Sequence, residues 1–322
     1  MRRFLFFILP VFIIMSGCVK KEQNVQLSIH DGEKLRVTTT IFPPFDFARE
    51  IAGDKIDLTM LLPPGSESHS YDPSPRDIIT LKNSDVFIYG GGESDHWIDN
   101  ILSSMDTSSM SIIKMMDVTE SVAEEIVEGM EGAEDEVDYE VDEEEGIEYD
   151  EHVWTSPVNA IRIVEAISKV FCARDKANAD YYTQRTAAYI AKLSELDAAF
   201  RDVVLHGKRK VIVFGDRFPF RYFTDLYGLE YFAAFPGCST ESEPSAATIA
   251  FLVRKVEREK IPVVFHIELS NERMADMISS ETGAKKLLFN SGHNISRDDF
   301  KNGVTFLELQ TRNIENLREA LN

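Results

Sequence analysis

The sequence predicts an α/β protein of two doubly wound lobes, each built on a parallel sheet, joined by one long rigid helix. Three observations predict this class. β-rich segments alternate with amphipathic segments along the chain, which is typical of parallel sheets covered by helices. Residues 178–205 contain neither proline nor glycine and carry apolar residues mostly three or four positions apart, which indicates a single helix. The length of 322 residues suits about two domains.

Residues 35–177 are predicted to form the first lobe. Its strands are indicated by β-rich runs, the second of which stops at Pro63-Pro64-Gly65. A helix is predicted from Ser74 because a capping serine precedes a proline there, and another begins in the same way at Ser156. The predicted strands cover residues 35–40, 56–62 and 85–89, and the other predicted helices cover residues 47–52 and 97–103.

Residues 206–322 are predicted to form the second lobe, after a linking helix at residues 178–205. It repeats the alternation of strand and helix without an exact internal sequence repeat. The predicted strands lie near residues 210–214, 229–234, 262–266 and 286–289, and the predicted helices cover residues 271–282 and 298–321.

Residues 1–17 are typical of an export signal, with a short basic start, a run of about a dozen apolar residues and small residues at its end. Cys18 follows as at a bacterial lipoprotein cleavage site. We therefore expect lipid on Cys18, a polar tether over residues 18–34, and a location on the outer face of the cell membrane. An ordinary secretory signal that contains a cysteine is the alternative.

Most of the net charge of −21 comes from one segment. We call residues 119–151 the acidic tract, because it contains 17 acidic residues and no lysine or arginine. Outside it, 38 acidic residues balance 34 basic ones, and no basic patch predicts nucleic-acid binding. Like charges repel and cannot form a core, so we expect most of the tract to be a mobile loop. It either is a solvated insertion or gathers cations near a binding site.

Four of the seven histidines fall where strands or helices meet loops: His69, His152, His266 and His293. Ligands of open α/β sheets collect beyond the carboxyl ends of the strands, so these side chains can converge between the two lobes. Neutral imidazole is a strong ligand for zinc and other late first-row metals. The pattern predicts a shared metal site, although a single histidine at a strand end is more often a structural polar residue.

Three segments of the first lobe resemble the zinc/manganese solute-binding proteins of bacterial ABC importers, the high-affinity zinc uptake family. They are residues 37–47 (VTTTIFPPFDF), 61–77 (LLPPGSESHSYDPSPRD) and 150–160 (DEHVWTSPVNA). The resemblance covers about residues 35–321. The resemblance implies that His69 and His152 are metal ligands. Zinc-binding members of this family typically have a histidine- and acid-rich loop at the position that the acidic tract occupies here.

The second lobe departs from the family pattern. The family usually places a histidine or glutamate after the strand that opens this lobe, where this chain has Phe214-Gly215-Asp216-Arg217. His293 falls close to the position of the fourth ligand. We take His266 as the candidate to replace the third ligand, with Asp216 and Glu268 as alternates.

The resemblance implies a lipoprotein that captures a divalent metal outside the cell and delivers it to an importer permease. Four imidazoles, or three with a carboxylate, favour Zn²⁺ over Mn²⁺, which prefers more oxygen ligands. A manganese importer, a surface adhesin and a zinc hydrolase are the alternatives, although the chain lacks a His-Glu-x-x-His motif. We expect a monomer that is not an enzyme, whose partners are the permease and, through Cys18, the membrane lipid.

Overall fold

The computed structural model describes residues 33–67, 71–130, 148–237 and 245–322. In the first lobe four parallel strands have the spatial order β2-β1-β3-β4. Their bounds are β1 Leu35–Thr39, β2 Ile56–Met60, β3 Val86–Tyr89 and β4 Ser111–Lys114. The helices of this lobe are α1 Phe42–Ala52, α2 Pro75–Lys82, α3 His96–Ser103 and α4 Pro157–Arg174.

The second lobe repeats this topology, with four parallel strands in the spatial order β6-β5-β7-β8. Each lobe therefore places its first strand second in the sheet, although the sequence shows no exact repeat. The strands are β5 Val211–Phe218, β6 Glu230–Pro236, β7 Val263–His266 and β8 Lys285–Leu288. The helices are α6 Arg221–Tyr227, α7 Ala246–Glu259, α8 Arg273–Thr282, α9 Arg297–Lys301 and α10 Phe306–Leu321.

The long helix α5, Ala179–His206, lies between the lobes. Its 28 residues span about 42 Å at 1.5 Å per residue. Its buried residues recur along one face and join the largest core cluster, which contains apolar side chains from both lobes. The predicted fold class is confirmed. No helix within the described ranges is long and apolar enough to span a bilayer.

Buried polar contacts tie α1 of the first lobe to α10 of the second. The carboxylate of Asp46 is fully buried and accepts a hydrogen bond of 2.6 Å from the backbone N–H of Phe306, in the first turn of α10. Arg49 is ion-paired with Asp46 and donates to the carbonyl of Val304. Because Asp46 is fully buried, losing its partners would leave an unsatisfied carboxylate between the lobes.

A second set of contacts, the interlobe seam, joins residues 63–66 to residues 294–297 by four hydrogen bonds. Gly65 N–H donates to the Ile295 carbonyl at 2.8 Å, and Asn294 Nδ2 donates to the carbonyls of Pro63 and Ser66 at 3.1 and 2.6 Å. Arg297 Nε donates to the carbonyl of Pro64 at 3.3 Å. Gly65 has a φ of +80°, and a Cβ there would lie 3.0 Å from Arg297 Cγ, so glycine suits this position on both counts.

Two predictions of local structure were wrong. The closing helix expected at residues 298–321 is two helices, α9 and α10. Gly303 lies between them with a φ of +73°, which a continuous right-handed helix does not allow. The helix expected at residues 47–52 begins at Phe42, because Pro43 and Pro44 lie in its first turn, where no backbone N–H donor is needed.

Candidate metal centre

Two histidines, one before α4 in the first lobe and one after β8 in the second, face each other in the cleft. The ring centres of His152 and His293 are 5.2 Å apart and their planes are inclined by 80°. Two imidazoles on one tetrahedral zinc ion, with Zn–N bonds of about 2.0–2.1 Å, would have ring centres about 5 Å apart. The side chain of His152 is fully buried, and Trp154 packs edge-on against both rings. The two rings are spaced so that one metal ion could bind both of them.

Asp150 orients His152. Its Oδ1 lies 2.7 Å from the backbone N of His152 and 3.1 Å from Nδ1 of the ring. A carboxylate that accepts from Nδ1 fixes the tautomer in which Nε2 is the nitrogen that can bind a metal. Burial lowers the pKa of His152, but the charge and hydrogen bond of Asp150, with the charges of Glu151 and Glu124, raise the pKa above its ordinary value.

Glu268 holds the loop that carries His293. Its carboxylate accepts from the backbone N–H and the hydroxyl of Ser291, at 2.7 and 2.6 Å, and from the backbone N–H of His293 at 3.1 Å. Trp154 Nε1 donates to the Ser291 carbonyl at 3.0 Å, which connects this loop to the first lobe. Burial raises the pKa of Glu268, and the hydrogen bonds from Ser291 and His293 oppose that shift. The position of His293 is therefore fixed from both lobes.

The structure does not bring His266 to the two facing imidazoles. His266 is the last residue of β7, and its Nδ1 lies 3.1 Å from the Ile267 carbonyl and 3.9 Å from Glu272 Oε1. The next residue, Ile267, lines the cleft cavity, whereas His266 does not. Successive side chains along an extended chain point to opposite faces, which accounts for the difference.

Asp216 connects the ends of β5 and β7. Its Oδ1 accepts from the backbone N–H of Arg217 at 2.9 Å and its Oδ2 accepts from that of Ile267 at 3.2 Å. His69 and Cys18 lie outside the described residues, although Ser66 and Glu67, just before His69, line the cleft cavity. Within the described ranges, no three His, Cys, Asp or Glu side chains are grouped so that they could hold a metal ion.

Arg217 is a cleft residue to which sequence reasoning gave no role. Arg217 lines the same cavity as His152 and His293, and its Nη1 donates to Glu67 Oε1 at 3.0 Å, across the lobes. The only signal in the sequence was that Asp216-Arg217 stands where the family carries a metal ligand. The cavity has a volume of about 40 Å³.

The two ends of the acidic tract are packed against the second lobe. Ala123 and Tyr149 form an antiparallel bridge, and Tyr222 donates to the Asp150 carbonyl at 2.8 Å. Glu124 Oε1 accepts from the backbone N–H of Gly237 at 2.6 Å. Burial and the charge of Asp150 raise the pKa of Glu124 to about 7. Residues 131–147 lie outside the described ranges.

The affinity for zinc should fall as the pH falls, and the fall should begin above pH ~6.5, the ordinary pKa of histidine. Zinc binds neutral imidazole, and the raised pKa of His152 means that protons compete for it at a higher pH than for an isolated histidine. Competition with a chromophoric chelator between pH 5 and 8 measures this. In Asp150→Asn the loss of zinc affinity should begin at a lower pH than in the wild type. A wild-type affinity that does not change between pH 5 and 7.5 would contradict a histidine site.

Comparison with known proteins supports this interpretation of the cleft. The family described as zinc-uptake complex component A, periplasmic (ZnuA), matches residues 37–320. The high-affinity zinc uptake system protein ZnuA of Bacillus subtilis (strain 168) is 29% identical over 319 residues, which cover 98% of this chain and 97% of that protein. The zinc-binding lipoprotein AdcA of Streptococcus pneumoniae (strain ATCC BAA-255 / R6) is 32% identical over 297 residues, which cover 90% of this chain but 56% of AdcA.

The crystal structure of the Zn(II)-bound ZnuA-like domain of Streptococcus pneumoniae AdcA has the same fold, with a TM-score of 0.72 and 28% identity. That alignment covers 90% of this chain and 99% of the domain. The family match extends over both lobes and includes the described histidines of the cleft. The chain belongs to the ZnuA family of periplasmic zinc-uptake components.

Proposed function

We propose that this protein captures Zn²⁺ outside the cell and delivers it to the permease of an ABC importer. The observation that carries the proposal is the pair of buried imidazoles, one from each lobe, at the spacing of two ligands on one zinc ion. Members of the family are solute-binding proteins of importers, so the protein is not an enzyme. The zinc ion is its cargo.

We assign His69, His152 and His293 as the protein's metal ligands. His152 and His293 face each other across the cleft, and His69 follows the cleft residues Ser66 and Glu67 in the sequence. His266 is left out because its ring contacts Ile267 and Glu272 instead. Nitrogen ligands support zinc over manganese, which takes oxygen-rich sites.

We also propose that residues 1–17 direct export and that lipid on Cys18 anchors the protein to the outer face of the membrane. The basic, apolar and small-residue regions before Cys18 support this, and the relative AdcA is named a lipoprotein. Metabolic labelling with a fatty acid should mark the wild-type protein and not Cys18→Ser. Equal labelling of both would show that Cys18 is not the lipid attachment site.

Two experiments test the function. Chelator-stripped protein should bind one zinc ion per chain, as measured by elemental analysis, and a screen for hydrolase activity should be negative. In cells, loss of the gene should impair growth when zinc is limiting, and added zinc or the wild-type gene should restore it. An adhesin without transport activity would bind no tight zinc and would leave growth unchanged.

Removal of residues 131–147 should leave one tight zinc site. This part of the acidic tract holds ten acidic residues and neither histidine nor cysteine, the side chains on which tight tetrahedral zinc sites are mostly built. A short Gly-Ser link from Met130 to Glu148 keeps the bridge between Ala123 and Tyr149. Calorimetric titration is the measurement, with a full-length variant that carries Asn and Gln in place of the acids as the control. If the titration of the deletion variant showed no high-affinity phase, the zinc site would lie in the acidic tract.

A further inference from the structure

Arg217 places a positive charge beside a cleft that is proposed to bind a cation. Its side chain is 17% exposed and lines the cavity that contains His152 and His293. Guanidinium is protonated at every physiological pH and repels a divalent cation. A role other than attracting the metal must therefore account for this residue, and its contacts indicate one.

Two carboxylates line this cavity among the described residues, and both accept hydrogen bonds. Glu268 accepts from the backbone N–H and hydroxyl of Ser291 and from the backbone N–H of His293, so its oxygens hold that loop of the second lobe. Glu67, from the first lobe, accepts from Arg217 Nη1 of the second lobe at 3.0 Å. The groups that face each other across the cleft are instead imidazoles. Carboxylate oxygens are thus present at the cavity but are engaged by other groups.

The donor atoms of a site decide which divalent metal it prefers. Imidazole nitrogen suits zinc, whereas carboxylate oxygen suits manganese, calcium and magnesium. If Glu67 turned from Arg217 to the metal, it would add an oxygen ligand, which would favour manganese more than zinc. The Glu67 side chain is 38% exposed, so packing alone does not fix it. That movement would leave the largely buried guanidinium without its carboxylate, which is costly.

We propose that Arg217 sets the preference of the site for zinc over manganese, because it holds the carboxylate of Glu67 away from the bound metal. The proposal rests on the zinc-binding function proposed above. Arg217 is a positioning residue in this role, since it contacts Glu67 and not the metal. Because the two side chains form an ion pair of zero net charge, the repulsion between the guanidinium and zinc is largely offset.

The zinc and manganese affinities of the chelator-stripped full chain test this, each measured by competition with a chelator of known affinity. In Arg217→Gln the ratio of zinc affinity to manganese affinity should fall about tenfold, at the lower end of the effects of residues around metal ligands. The fall should come mainly from tighter manganese binding. The double variant Arg217→Gln with Glu67→Gln should regain the wild-type ratio, since no carboxylate is released. Arg258→Gln, which removes an exposed arginine on α7, is the control and should keep the wild-type ratio.

The visible spectrum of the Co²⁺-substituted protein reports whether Glu67 reaches the metal. The d–d bands should weaken in Arg217→Gln, because an added ligand raises the coordination number, and should return to those of the wild type in the double variant. Arg217→Met, which keeps much of the aliphatic stem, should show the same changes and replaces Arg217→Gln if that variant does not fold.

Three results would overturn the proposal and leave the zinc function standing. They are an unchanged affinity ratio in the single variants, a fall that persists in the double variant, and an equal loss of both affinities, which would make the ion pair only a structural link between the lobes. Absence of tight zinc binding by the wild type would overturn the zinc function itself.

Discussion

Replacement of His293 or His152 by alanine should weaken zinc binding by at least about a hundredfold. Loss of a hydrogen-bond partner behind a ligand already costs 10–100-fold in many metal sites, and loss of the ligand itself removes a bond to the metal. Either change would also remove one of the two facing imidazoles, of which each lobe contributes one. Competition with a chelator of known affinity measures the loss.

His266→Ala and Asp216→Asn are the matched controls for these variants. His266 lies at the end of the neighbouring strand and contacts Glu272, and Asp216 bonds to the backbone of Arg217 and Ile267. Neither change should weaken zinc binding more than a few-fold. If His266→Ala or Asp216→Asn abolished tight binding while His293→Ala had no effect, the ligands assigned in the second lobe would be wrong, although the importer function could still hold.

Zinc should raise the melting temperature of the chelator-stripped protein by about 6 °C. A ligand that binds only the folded state stabilises it by RT ln(1 + [L]/Kd), about 4 kcal/mol at a thousandfold excess over Kd. With an unfolding entropy of about 2.1 cal/mol/K per residue, each 1 kcal/mol shifts the melting temperature of a 322-residue chain by about 1.5 °C, so 4 kcal/mol gives about 6 °C. Scanning calorimetry or thermal fluorescence measures the shift, and Mg²⁺ at the same concentration is the control.

The shift should shrink in His152→Ala and His293→Ala and persist in His266→Ala. A wild-type protein that melts at the same temperature with and without saturating zinc would contradict a zinc site in the folded cleft.

The sequence predicted the fold class because hydrophobic patterning and turn residues report directly on strands and helices. It predicted too little in four places. β4 is short and carries Ser111 and Lys114 at its ends, so it lacks the signal of a buried strand. No helix was predicted at Arg221–Tyr227 or at Ala246–Glu259, where the structure has α6 and α7. The break at Gly303 was missed although the sequence carries its signals. Asn302 and Val304 are weak helix formers, and Thr305 with Glu308 forms a capping box.

The candidate site could be predicted only in part, because a sequence identifies ligand types and not the directions of side chains. His152 and His293 were proposed from their positions at junctions, and the structure places their rings face to edge. His266 has the same kind of position in sequence, but the direction of its side chain depends on the end of β7. Only the structure shows that Arg217 shares a cavity with the two histidines.

The interlobe seam is expected to oppose release of the cargo, together with the other contacts between the lobes. Its four hydrogen bonds, each worth about 0.5–1.5 kcal/mol, together oppose separation of the lobes by about 2–6 kcal/mol. Each 1.4 kcal/mol is tenfold in a rate or equilibrium, so a permease that parts the seam on docking would speed zinc dissociation by roughly 30-fold to 10⁴-fold. We expect slow release from the free protein and faster release from Asn294→Ala, which stopped-flow chelator capture can time. The protein would then retain zinc in solution and release it where docking to the permease supplies the free energy that separates the seam.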